Sequence, residues 1–282
     1  MTTVDVLERL SRLGPSFAVD AHQPRSVPVA PWLPFTALWQ QPDVLRCRVA
    51  AVRESLAQAV GRPPDTVELR VAASMAQLAL AGRLLAPALA MAALTGTVLN
   101  SDPQSLWWQP GLGPAFPLSV CTDAFAGLGS APAAAEPADG LGALLTGPVA
   151  ALVHACRSYS LSPQVLWGNV SSALNGAAVQ LAAAEPGAAP RTWLITARLL
   201  DQRPLRGSSQ AGPGPDFARL SCCLIYRLAR SPAESASAES APVVSPPVES
   251  ASAVPVCGDC ILGHRLSPRR SGELLRQHPG RN

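Results

Sequence analysis

The sequence predicts an α+β protein, mainly helical, with a small antiparallel sheet and a cysteine cluster motif near its C-terminus. Three observations carry this. Apolar residues recur at helical spacing through several long segments. Two short strand-like runs flank a Gly/Pro turn between residues 106 and 120. Four of the seven cysteines fall between positions 222 and 260.

The elements follow in order. Val6, Leu7, Leu10 and Leu13 share one face of a short helix over residues 1–13. From Phe17 to Pro42, five prolines block regular helix, and the segment reads as an extended arm laid over the core through Trp32, Phe35 and Trp39. Val49, Val52, Leu56 and Val60 mark a second helix, stopped by Gly61, Pro63 and Pro64. Asp65 or Thr66 can cap the next helix, with Glu68 in its first turn. That helix is predicted from Val67 to Leu85, with a break at Pro87 and a further stretch to Leu94.

Leu106–Trp108 and Phe116–Val120 are the two strands, and Pro117 confines the second to a sheet edge or an irregular segment. Residues 129–139 have linker composition. Helices are predicted from Gly142 to Tyr159 and from Gln164 to Ala184, while Trp193–Leu199 fits strand or helix. The domain plan is a mainly helical unit over 1–230 and a disordered Ser/Ala/Pro/Glu-rich insertion over 231–255. The second half of the cysteine motif occupies 256–262, and a basic flexible tail fills 263–282.

Composition narrows the function classes. Lysine is absent, and 22 arginines against 19 acidic residues leave a net charge of +3, too near neutral for a nucleic-acid binder. The N-terminus carries Asp5 and Glu8 where a secretion signal has an apolar run. The most apolar stretch, Leu84–Leu99, is 16 residues long and interrupted by Pro87 and Gly96, so a buried helix is expected and not a transmembrane segment. With an odd number of cysteines, this places the chain in the reducing cytoplasm. There is no phosphate-binding glycine loop, no Gly-x-Ser-x-Gly elbow and no zincin motif, so hydrolytic and nucleotide-dependent chemistry have no support.

The chemistry sits in ARLSCCLIYRL, with Cys222 and Cys223, and VPVCGDCIL, with Cys257 and Cys260. A Cys-x-x-Cys loop brings two thiolates to one centre, and Gly258 is expected to allow its tight turn. Three chemistries compete. Structural zinc draws on two separated Cys-x-x-Cys loops, which adjacent cysteines fit poorly because neighbouring side chains diverge. A redox dithiol expects a thioredoxin-like βαβ setting, which is absent here. A [2Fe–2S] cluster has two irons and accommodates diverging neighbours more easily. The bland alternative makes Cys222 and Cys223 small buried side chains on a strand.

These motifs resemble the FhuF-type ferric-siderophore reductases, in their (2Fe–2S)-binding, actinobacterial-like branch. SCCLIYRL and CGDCIL carry the resemblance; LSPQVLWGNVSSALNGA, RVAASMAQLALAGRLLAPAL and SLWWQP support it. The resemblance implies that Cys222, Cys223, Cys257 and Cys260 ligate a [2Fe–2S] cluster. It also implies that the protein reduces ferric siderophore by one electron in the cytosol, fed by a donor such as a ferredoxin or flavoprotein. Peripheral membrane association is compatible with that role. A non-enzymatic siderophore-binding or structural zinc protein is the alternative. The departure from the family is the 33 residues between the cysteine pairs, a longer spacer whose closure costs roughly 1 kcal/mol more.

Other candidates carry plainer expectations. Cys47, Cys121 and Cys156 read as core or semi-buried thiols, and His154 as a packed core histidine. Trp107 and Trp108 alternate between surface and core, and Asn169 caps or kinks its helix. His264 and the arginines 265, 269, 270 and 276 read as a solvated tail, with docking of an anionic siderophore or acidic donor as the sharper alternative. The backbone amides of Gly258 and Asp259 are the expected donors to sulfur.

Overall fold

The computed structural model describes residues 2–26, 28–99, 102–111, 116–125, 127–128, 137–229 and 257–260. The disordered insertion and the flexible tail expected over 231–255 and 263–282, with His264 and the tail arginines, lie outside these residues.

Helix α1 (Thr3–Arg12) begins with a reciprocal cap. Thr2 Oγ1 accepts the Asp5 N–H at 3.2 Å, and Asp5 Oδ2 accepts the Thr2 N–H at 2.7 Å. Val6 and Leu10 are buried, as the spacing requires. The proline-rich arm yields more structure than expected: strands β1 (Asp20–His22) and β2 (Leu33–Pro34) and a single helical turn, α2 (Ala37–Gln40). Helix α3 (Pro42–Ala59) starts on proline, whose missing N–H costs nothing at that position.

Helix α4 (Leu69–Thr95) is the axis of the molecule and runs unbroken through Pro87. An interior proline costs about 3 kcal/mol. Burial offsets it here, because 19 of the 27 residues are buried. By length and hydropathy α4 could cross a membrane, yet 72% of its most apolar window is covered by protein. It packs along the helix Pro163–Ala184 and touches α1, α3 and the helices Pro137–Thr146, Pro148–Cys156 and Ala189–Asp201. The segment Pro137–Tyr159 is also long and apolar enough, with 44% of its window covered. The expected cap at Asp65 or Thr66 is replaced by a 3-10 turn, Pro64–Thr66, and Glu68 stands at the N-cap without a capping bond. At the far end, Gly96 adopts φ +78°, and a side chain there would meet Arg191 Nη2 at 2.8 Å.

Strands β3 (Leu106–Trp108) and β4 (Leu118–Cys121) pair antiparallel with Leu106 opposite Val120, as the Gly/Pro turn predicts. The sheet order is β1-β4-β3-β2. Because β1 joins β4 in parallel, Asp20 opposite Ser119, the sheet is mixed and not wholly antiparallel. Pro117 precedes β4, so β4 takes a central place with no missing donor. Leu106, Leu118 and Val120 face Leu84, Pro87 and Ala88 of α4. Buried Arg83 ties sheet and arm to the same helix, donating to the carbonyls of Phe116 (2.8 Å), Ser16 (3.1 Å) and Ala18. Burial lowers its guanidinium to a pKa of about 10.

The helix expected from Gly142 to Tyr159 is two, α5 (Pro137–Thr146) and α6 (Pro148–Cys156), separated at Gly147. Of the expected linker, 129–136 lies outside the described residues, and 137–139 begins α5. Helix α7 (Pro163–Ala184) is capped by Ser162 Oγ accepting from the Val165 N–H at 3.3 Å. The ambiguous Trp193–Leu199 segment lies within helix α8 (Ala189–Asp201).

Candidate metal centre

The polar positions of α7 hold the returning chain that carries the first cysteine pair. Asn175 both accepts from the Gly214 N–H (2.8 Å) and donates to the Gly214 carbonyl (3.1 Å). Ser171 Oγ meets Ser208 Oγ at 2.5 Å. The strand-like passage closes through Gln210 N–H to the Ala218 carbonyl and Leu220 N–H to the Ser208 carbonyl, both 2.8 Å. Beyond the cysteines, a 3-10 turn (Ile225–Ala229) is anchored on α4. Arg227 donates to Glu68 at 2.6 Å, and Leu228 packs with Ala57, Val67 and Val71.

Residues 221–224 are irregular, so the cysteines do not sit on a strand. Cys222 and Cys223 diverge onto different partners. Cys223 Sγ lies 3.3 Å from Cys257 Sγ, and Cys222 Sγ lies 3.6 Å from Cys260 Sγ. All four are free thiols, too far apart for disulfide bonds. Each pair couples one fully buried sulfur, Cys223 or Cys260, to one half-buried sulfur, Cys257 or Cys222. The Cys257–Cys260 loop closes through Cys260 N–H to the Cys257 carbonyl at 3.0 Å. Gly258 has open space around it and no left-handed φ, so the turn does not require glycine.

Leu224 adopts φ +71°, a costly conformation for a large side chain. It aims the Leu224 N–H at Cys222 Sγ, 3.3 Å away, and the Ile225 N–H bonds Cys223. Among the described residues, these amides and Arg219 supply the bonds to sulfur in place of Gly258 and Asp259.

Arg219 is fully buried between the cysteines and the helix pair. Its Nη2 donates to Cys257 Sγ at 2.7 Å and to Asp259 Oδ1 at 3.2 Å, while Nη1 donates to Asn169 Oδ1 at 2.8 Å. Asn169 in turn donates to Gln77 Oε1 (3.0 Å), Ser74 Oγ (2.9 Å) and the Ser74 carbonyl (3.1 Å) on α4. Asn169 therefore bridges two helices and orients a cation, where capping or kinking was expected. The Arg219 N–H also bonds the Asp259 carbonyl at 3.1 Å, fastening the second cysteine loop to the first.

Electrostatics single out one thiolate of the four. Bonds from Cys222 and then Cys257 hold Cys223 well below the ordinary thiol range, with Arg219 adding to the effect. Cys222 and Cys257 move the other way, because each holds its proton in a bond to Cys223 and both are partly desolvated. Burial opposes the charge of Arg219, but Asp259 and the Cys223 and Cys257 sulfurs raise it above its ordinary value.

Two donors in the segment leading to Cys222, Arg219 Nε and Ser221 Oγ, are buried without a hydrogen-bond partner among the described residues. Room for Ser221 Oγ exists because residue 168 is glycine; a Cβ there would overlap it. Four soft sulfurs with a buried cation and unmet donors fit a sulfur-ligated, anionic metal group. Among the described residues, no three His, Cys, Asp or Glu side chains converge on one metal-ion position. The four sulfurs as a set can bind a metal or cluster.

The remaining thiols are scattered. Cys156 is buried in α6 with its pKa pushed up to about 12 by desolvation, and Cys121 is buried in β4. Cys47 is exposed on α3, and His154 is exposed on α6, so neither is a core side chain as expected. Trp108 is buried and Trp107 half-buried, as the strand alternation predicts. Sequence reasoning missed Arg219, Ser221, Ser74 and Gln77. The available signal was a lone arginine three residues before an adjacent cysteine pair. Compared with protein-family models and with curated proteins, the chain matches none.

Proposed function

We propose that the chain is a one-electron reductase of the FhuF type, with Cys222, Cys223, Cys257 and Cys260 holding a [2Fe–2S] cluster that serves ferric siderophores in the cytosol. One observation carries the reading: the adjacent cysteines separate onto different partners, forming two Sγ pairs at 3.3 and 3.6 Å. When bound, the cluster supplies a one-electron relay between a ferredoxin or flavoprotein donor and the substrate's Fe(III).

The protein's part is positional. Cys223 and Cys260 hold the centre from the buried side, while the half-buried Cys222 and Cys257 face the approach of donor and substrate. Arg219 and the amides of Leu224 and Ile225 orient the sulfurs. The substrate iron gains one electron and becomes Fe(II), which oxygen-rich siderophores hold far less well. No proton needs to be moved at the iron.

The test pairs Cys257→Ala and Cys223→Ala with the wild type under anaerobic conditions. Ferric hydroxamate and ferric catecholate serve as substrates, a reduced ferredoxin as donor, and a ferrous chelator as reporter. Both variants are expected to lose visible absorbance and Fe(II) release together while keeping their helical circular dichroism. A fully coloured, active Cys257→Ala protein overturns the assignment, as does a wild type that binds zinc alone.

A further inference from the structure

We propose that Arg219 and Ser221 form the hydrogen-bonding shell that sets the reduction potential of this centre, with Arg219 as its buried counter-charge and positioning residue for Cys257. The inference rests on the cluster reading above and extends it to residues outside the ligand set.

Four features of the geometry support it. Arg219 is fully buried, yet its only acidic partner among the described residues is Asp259, whose side chain keeps 20% of its exposure. Nη2 is shared between that carboxylate and Cys257 Sγ, so part of the cation's field falls directly on a ligand sulfur. The guanidinium cannot swing away, because Nη1 is held by Asn169, itself bonded to Ser74 and Gln77 inside the α4–α7 interface. Finally, Arg219 Nε and Ser221 Oγ are buried donors with no acceptor among the described residues, close in sequence to Cys222. A sulfur-rich anion supplies the acceptors these donors lack.

The physical consequence has a definite sign. Reduction adds one negative charge to the centre, and a fixed cation with N–H and O–H donors to sulfur stabilises the more negative state. Removing them makes the centre harder to reduce. Asn169 has no contact with a ligand sulfur and acts through Arg219.

The test measures midpoint potential by EPR-monitored redox titration of the full-length protein, with iron and sulfide counted per chain. Wild type, Arg219→Gln, Arg219→Lys and Ser221→Ala are compared. Arg219→Gln is expected to lower the reduced-to-oxidised ratio at a fixed ambient potential at least tenfold, a negative shift of about 59 mV for one electron. Arg219→Lys, which keeps the charge but loses the fork, is expected to shift less. Ser221→Ala is expected to shift in the same direction by at least twofold in that ratio. Wild-type potentials in both Arg219→Gln and Ser221→Ala overturn the inference. If Arg219→Gln takes up no iron, Ser221→Ala decides: a negative shift supports the shell and an unchanged potential overturns it. A wild type free of iron and sulfide overturns the parent reading, so the two failures are told apart.

Discussion

Replacing Gly168 with alanine tests the packing on which the cysteine site depends. In an ordinary helix interior, Gly→Ala stabilises by about 1 kcal/mol. At residue 168 the new Cβ would overlap Ser221 Oγ and sit 3.2 Å from Ser221 Cβ. Rotating the hydroxyl away relieves the first contact, but not the second, so the backbone before Cys222 must give way. Overpacking of this kind costs about 1–3 kcal/mol. At Gly176, two turns further along the same helix, an added Cβ would meet nothing within 4 Å. Gly168→Ala is therefore expected to be less stable than Gly176→Ala by about 1–3 kcal/mol, the latter gaining up to about 1 kcal/mol. Urea unfolding followed by circular dichroism reads the difference. Adding Ser221→Ala to Gly168→Ala removes the hydroxyl overlap but keeps the Cβ contact, and is expected to recover part of the loss, a coupling of about 1 kcal/mol. Equal stabilisation at both glycines, with no coupling to Ser221, refutes the packing argument.

Two further substitutions probe the elements that hold the site. Asn169→Leu strips Arg219 Nη1, Ser74 and Gln77 of their shared partner inside the helix interface. A loss of about 3 kcal/mol in denaturant unfolding is expected, because one of the orphaned groups is charged. Glu68→Gln weakens the clamp to Arg227 and Arg70, both at 2.6 Å, and is expected to cost about 1 kcal/mol given the pair's partial exposure. Burial works to raise the Glu68 pKa, but the bonds from Arg227 and Arg70 outweigh it and bring it below the ordinary 4.5. Its contribution is therefore complete above pH 4.5 and lost as the pH falls through the lower folded value. Glu68→Gln is expected to flatten that acid limb in a pH series of unfolding curves.

Local signals made much of the fold legible. Helices α1, α3 and α7 stand between strong stops and show a clear apolar repeat, and β3 and β4 flank a recognisable turn. Pro87 misled because the local penalty is real but smaller than the burial that α4 gains along its whole length. The parallel pairing of Asp20 with Ser119 had no local trace, since it depends on where the arm docks. The same division holds at the site. Four cysteines near the C-terminus announce, through residue type and spacing, a set that can bind a metal or cluster. Their pairing, Cys222 with Cys260 and Cys223 with Cys257, needs the fold. Arg219 was silent and Asn169 pointed only to a cap or kink, because their meaning is a contact across 50 positions of chain. A buried arginine beside sulfur looks, in sequence, like any other arginine.

We propose that the two cysteine pairs hold a binuclear iron–sulfur centre. Anaerobically purified protein should therefore be assayed for iron and acid-labile sulfide, and its EPR spectrum recorded before and after dithionite. Iron and sulfide in equal amounts, visible bands that bleach on reduction, and an S = 1/2 signal in the reduced state alone are expected. A colourless protein that carries one zinc ion and no sulfide would contradict it.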